Sequence, residues 1–83
     1  MEKNLLSQFA SQFAEASLTS LVESFNAQVG NRGFNSARAA YDHALIDEFI
    51  RRSIDVSVIH DGQRTSFAHK VALDDSGTKL KLA

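Results

Sequence analysis

The sequence predicts an α+β domain in which two or three helices precede a three-stranded antiparallel β-meander. Apolar residues recur at helical spacing up to about residue 52, and the period changes to two after Ser53. Asp-Gly and Ser-Gly pairs then divide the second half into short runs. Because 83 residues bury too little surface for two cores, we expect a single small domain over residues 1–83, helical at about 3–52 and a meander at about 54–83.

The first helical stretch changes its apolar face along its length. Leu5, Leu6, Phe9 and Phe13 share one side of a helix, whereas the apolar residues of 18–29 centre on a side rotated by roughly 150°. A break at residues 15–18 explains the change and predicts helices at about 3–15 and 18–29. Ser17 or Ser20 is the expected N-cap. The alternative is one continuous helix that contacts the core with one half and a partner with the other.

A third helix follows the turn "GNRGF" at residues 30–34. We expect it at about 35–52, capped by Asn35 or Ser36. Its apolar side is predicted from three residues at i, i+4 and i+8: Tyr41, Leu45 and Phe49. A second stripe at the same spacing is polar and is predicted to face solvent: His43, Asp47 and Arg51.

Two turn signals define the predicted meander. Residues 54–58 and 67–73 alternate between apolar and polar side chains, as half-buried strands do, and Asp61-Gly62 between them is a strong hairpin signal. A loop at Ser76-Gly77 leads to the last strand. This loop sets Leu73 opposite Leu80 and Val71 opposite Leu82, so that both apolar pairs fall on one face of the sheet.

No constellation of side chains in the sequence indicates an active site. With His60 predicted to flank the hairpin turn in solvent and His69 to point inward, the two lie roughly 13–20 Å apart, too far to share a zinc ion. Cysteine is absent, and no nucleophile elbow or phosphate-binding loop is present. We therefore expect a non-enzymatic protein without catalytic residues, metal or cofactor.

Composition is that of an ordinary globular domain, with 43% apolar residues and a formal net charge of −1. The lack of cysteine favours a reducing compartment, so a cytoplasmic location is expected. The first residues lack the uninterrupted apolar run of a signal peptide, and no stretch approaches the roughly 20 apolar residues that span a bilayer. No membrane partner is expected.

These observations favour a small interaction or regulatory module that contacts another protein or a second copy of itself, as in a homodimer. The candidate interaction surface is the N-terminal apolar stripe, which is larger than so small a core is expected to cover. It consists of Leu5, Leu6, Phe9 and Phe13. The last strand, as a possible sheet edge, is a second candidate.

The alternative function is DNA binding, because a winged helix-turn-helix has the same order of elements. The third helix, at about 35–52, would then be the recognition helix and the hairpin at 54–73 the wing. The candidate contacts to nucleic acid are Arg32, Asn35, Ser36, Arg38, Arg64 and Lys70. Against this alternative, three carboxylates on the same helix would oppose phosphate binding: Asp42, Asp47 and Glu48.

Overall fold

A computed structural model describes residues 5–30 and 35–83 and has the predicted α+β class. Three helices precede two short strands. The helices are α1 (Leu5–Ala14), α2 (Leu18–Asn26) and α3 (Ser36–Arg51), and the strands are β1 (Val71–Leu73) and β2 (Leu80–Leu82).

The predicted break between the first two helices is confirmed, and the alternative of one continuous helix is wrong. Ser17 is the N-cap of α2, with extended backbone angles, and its Oγ accepts a hydrogen bond from the backbone N–H of Ser20 at 3.1 Å. Ser20 itself lies inside the helix. The break lets α1 and α2 turn different sides towards one core.

The core lies between the helices and the side of the sheet that carries Val71 and Leu80. Leu21 and Phe25 of α2 and Leu45 and Phe49 of α3 are completely buried. Asn35 caps α3, as predicted, by accepting the backbone N–H of Arg38 at 2.9 Å. The polar stripe of α3 faces solvent as expected: His43, Asp47 and Arg51 are exposed.

The sheet has the predicted register. β1 and β2 are antiparallel, and Leu73 lies opposite Leu80 while Val71 lies opposite Leu82. On its other edge, β1 contacts the side chain of Asn26 at the end of α2. The Asn26 Nδ2 donates to the carbonyl oxygen of Val71 at 2.9 Å, and its Oδ1 accepts the N–H of Val71 at 2.8 Å. One amide side chain thus replaces a neighbouring strand at this position.

The predicted first strand of the meander does not form, and the sheet of the described residues has two strands. Asp55 makes a single bridge to Lys79, and its carboxylate then accepts the backbone N–H of Ser57. The chain turns there, and the N–H groups of Ile59 and His60 both donate to the carbonyl oxygen of Val56. Because of this turn Ile59 is buried and Val58 is exposed, the reverse of the predicted alternation.

The hairpin predicted at Asp61-Gly62 is reduced to one bridge, between His60 and Thr65. Asp61 closes the intervening loop, because its Oδ1 accepts the backbone N–H groups of Gln63 and Arg64. Gly62 has a φ of +99°, which favours glycine. The segment is therefore a compact loop rather than a long two-stranded wing.

Candidate functional site

The predicted interaction surface on α1 is divided between the core and the solvent. Phe9 and Phe13 make edge-to-face contacts with Tyr41 of α3, with ring centroids 5.1 and 5.0 Å apart. Phe13 is buried and Phe9 is half-buried. Leu5 and Leu6 remain 44% and 39% exposed. The phenylalanines therefore attach α1 to α3, and only the two leucines are available at the surface.

The end of α1 is held by Arg52, which follows α3. Its Nη2 donates to the carbonyl oxygens of Phe13 at 2.9 Å and Ala16 at 2.7 Å, and its Nε donates to Oε2 of the buried Glu48 at 2.7 Å. A guanidinium group is suited to this position because its donors are fixed in a planar fork. It adds a donor to carbonyl groups at the end of α1, where the regular helical hydrogen bonds stop, although the carbonyl of Phe13 also accepts the N–H of Ala16.

Arg38, a candidate contact to nucleic acid, is part-buried and makes several contacts within the domain. Its Nε and Nη2 donate to the side chain and backbone oxygens of Gln28, at 3.1 and 3.2 Å. Its guanidinium carbon lies 5.6 Å from the centre of the Phe67 ring. Arg38 thus joins the end of α2 to α3 and to the segment that follows the 61–64 loop.

The other candidate contacts to nucleic acid lie on different parts of the chain. Asn35 and Ser36 lie at the start of α3, where the Asn35 side chain is used as the helix cap. Arg64 and Lys70 are exposed on the segment between α3 and β1. Arg32 lies outside the described residues. The hairpin that would form the wing is reduced to the single bridge described above.

The surroundings of His60 and His69 differ from those predicted. His60 was expected in solvent but is half-buried, and its Nδ1 lies 2.8 Å from Oγ1 of Thr65. His69 was expected to point inward but is exposed. The inward prediction failed because it assumed a strand that started at Phe67, whereas β1 starts at Val71. The contact between His60 and Thr65 joins the two residues of the bridge and so helps to close the loop.

Neither part of the chain that the structure describes, residues 5–30 or 35–83, contains a group of three or more side chains able to hold a metal ion. Within the same residues, no helix is sufficiently long and apolar to cross a membrane.

A half-open groove of about 380 Å³ lies between α3 and the segment around the 61–64 loop. The wall from α3 includes Asp42, His43, Ile46, Asp47 and Ile50. The opposite wall includes His60, Gln63, Thr65 and Phe67. The sequence alone does not reveal this groove. The spacing of Asp42, Ile46 and Ile50 indicates one shared helix face, but the second wall depends on the unpredicted turns after Asp55.

Asp42 is unusual because it is a buried carboxylate. It is 7% exposed, and neither of its oxygens accepts a hydrogen bond from the residues that the structure describes. The nearest ionic contact is Nε of Arg38, 3.6 Å from Oδ2. Burial raises the pKa of Asp42, and the nearby side chain of Gln28 and the charge of Arg38 oppose this only in part.

Comparison of the chain with protein-family models, with curated proteins and with solved structures finds no match.

Proposed function

We propose that this chain is a small non-enzymatic interaction module that contacts another protein or a second copy of itself through the start of α1. The observation that supports the proposal is that the apolar stripe of α1 extends beyond the core. Leu5, Phe9 and Phe13 lie at i, i+4 and i+8, and they pass from exposed through half-buried to buried. A partner that covers Leu5 and Leu6 would extend the same packing.

The size of the chain is consistent with this role. A small domain buries a modest fraction of its surface, so additional apolar contact with a partner adds stability. An isologous contact between two copies would place the two leucines of each chain against the equivalent helix of the other. Self-association is accordingly the first form of the proposal to test.

The test compares the wild type with Leu5→Gln/Leu6→Gln by sedimentation velocity over a range of concentrations, followed by affinity capture from the native cells. We expect a dimer or a specific complex for the wild type and its loss in the double variant. The free energy of unfolding of the monomer should change by less than about 1 kcal/mol, because glutamine is a good helix former and both leucines are exposed.

Val58→Gln is the matched control, because Val58 is an apolar residue that is 39% exposed, like Leu6, but belongs to the segment between α3 and β1 instead of α1. It should leave the association unchanged. A wild type that is monomeric at every concentration, and that captures the same proteins as the double variant, would contradict the proposed function.

A further inference from the structure

The groove between α3 and the 60–67 segment has the size and composition of a ligand site. Its volume of about 380 Å³ lies within the range of roughly 300–1,000 Å³ that is typical of small-molecule pockets. Ile46, Ile50 and Phe67 give it apolar walls, and Ile50 is 50% exposed. The site therefore offers apolar contact together with a small number of polar groups.

The ionisable residues in the lining of the groove are two carboxylates and two histidines, His43 and His60. Two carboxylates, Asp42 and Asp47, belong to its lining, which includes neither lysine nor arginine. Gln63 and Thr65 add neutral oxygen atoms that can accept hydrogen bonds. A ligand that carries positive charge is complementary to this lining, whereas an anion is repelled by it.

The surroundings of Asp42 give a second reason to expect a bound cation, separate from the number of charged residues in the lining. Its buried carboxylate belongs to the lining of the groove and lies beside Gln28 and Arg38, with Nε of Arg38 3.6 Å from Oδ2, yet neither oxygen has a close hydrogen bond from the described residues. Buried carboxylates are normally paired or hydrogen-bonded. A cation above Asp42 would interact with it through an environment that screens charge less than water does. Asp47, which is exposed, is available for direct contact.

We infer that the groove binds an organic ammonium ion, with its charged group near Asp47 and above Asp42 and its carbon chain against Ile46, Ile50 and Phe67. Such a group occurs both in free alkylamines and in the side chain of lysine. The inference shares no residue with the interaction surface proposed on α1, so either can fail without the other.

The test uses the full chain and follows its backbone amide signals by NMR during titration with pentylammonium, at a pH near 7. We expect saturable shifts in the amides of residues 42–50 and 60–67. 1-Pentanol, which has the same chain length without the charge, should bind at least tenfold more weakly. Nα-acetyl-lysine methylamide is titrated in parallel, and the tighter of the two ammonium ligands identifies a free amine or a protein side chain as the source.

Asp47→Asn removes the exposed carboxylate and should raise the dissociation constant of pentylammonium at least threefold, which is within the range of a solvent-exposed ion pair. Asp75→Asn removes an exposed carboxylate that is not part of the groove, and should leave the constant unchanged. Equal binding of pentylammonium and pentanol would overturn the inference. So would an unchanged constant in Asp47→Asn, or the absence of shifts at the groove with about 10 mM ligand.

Discussion

Among the aspartates, burial and hydrogen bonding shift the pKa in opposite directions. Asp42 is buried beside Gln28 and Arg38 without a close hydrogen bond to either, and burial raises its pKa. Backbone N–H groups of Ser57 lower the pKa of Asp55, and those of Arg64 and Gln63 lower the pKa of Asp61. The hydroxyl of Ser76 does the same for Asp74. These three carboxylates hold turns, whereas ionised Asp42 opposes folding.

The sign of the pH dependence follows from these directions. A raised pKa means that the folded state holds the Asp42 proton more tightly, so Asp42 costs increasing stability as the pH rises from about 4 to its folded pKa. We therefore predict that the free energy of unfolding of Asp42→Asn, relative to the wild type, increases over this interval. One proton is involved, so the slope is at most about 1.4 kcal/mol per pH unit. Urea denaturation at several pH values measures it.

Asp61→Asn is the control for the opposite sign. The lowered pKa of Asp61 supplies stability above about pH 4 that is lost as the pH falls through the folded pKa. Asparagine keeps an oxygen that can accept the N–H groups of the loop but lacks the charge. Asp61→Asn should therefore be less stable than the wild type at neutral pH, and this difference in the free energy of unfolding should disappear in acid. A relative stability of Asp42→Asn that is constant from pH 4 to 7 would contradict the role assigned to Asp42.

The sequence predicts those helices and strands whose formation depends on local chemistry. The break before Leu18, the Asn35 cap and the pairing of β1 with β2 follow from caps, periodicity and a turn. The prediction of a strand over residues 54–58 was wrong because the carboxylate of Asp55 accepts a hydrogen bond from the N–H of Ser57. Aspartate side chains compete with strand ladders in this way, and alternation of apolar residues does not reveal which arrangement is favoured.

Asn26 shows how an element can be fixed by one residue of another. Its side-chain amide makes hydrogen bonds with both the backbone N–H and the backbone C=O of Val71, and Val71 is buried. We predict that Asn26→Ala destabilises the domain by roughly 2 kcal/mol, because both backbone groups lose their partner in a region that is poorly hydrated. Chemical denaturation gives the free energy of unfolding, and hydrogen exchange at β1 should accelerate.

Asn26→Asp separates the two bonds, since a carboxylate accepts from the N–H of Val71 but cannot donate to its carbonyl group. It should therefore lose stability as well. Thr19→Ala, an exposed substitution on the same helix, should change the free energy by less than about 0.5 kcal/mol. The assignment fails if Asn26→Ala is as stable as Thr19→Ala.

The division of the α1 stripe between core and solvent could not be predicted from periodicity, because it depends on tertiary contacts. The spacing places Leu5, Phe9 and Phe13 on one face, but the position of Tyr41 decides where contact with the core ends. The groove is similarly a product of the tertiary structure. Its two walls come from α3 and from a loop whose path depends on Asp55, so neither wall alone indicates a site.

The attachment of α1 depends on a link between distant parts of the chain, since Arg52 joins the carbonyl oxygens of Phe13 and Ala16 to Glu48. We predict that Arg52→Ala reduces the free energy of unfolding by roughly 2–3 kcal/mol, because it leaves a buried carboxylate and the end of α1 without their main donor. Local opening should increase hydrogen exchange in α1 more than in α3. Arg52→Lys should be intermediate, since one ammonium group cannot reproduce the planar fork.

Arg51→Ala provides the comparison that separates this link from a general effect of charge. Arg51 also faces Glu48, with Nη1 3.5 Å from Oε1, but 61% of its side chain is exposed and it makes no hydrogen bond or salt bridge to the described residues of α1. Its removal should cost no more than about 0.5 kcal/mol and leave exchange in α1 unchanged. If Arg51→Ala and Arg52→Ala lose the same free energy of unfolding, then Arg52 contributes by neutralising the charge of Glu48 and not by holding α1. Faster exchange confined to α1 in Arg52→Ala would instead identify the first helix as the part of the molecule that opens first.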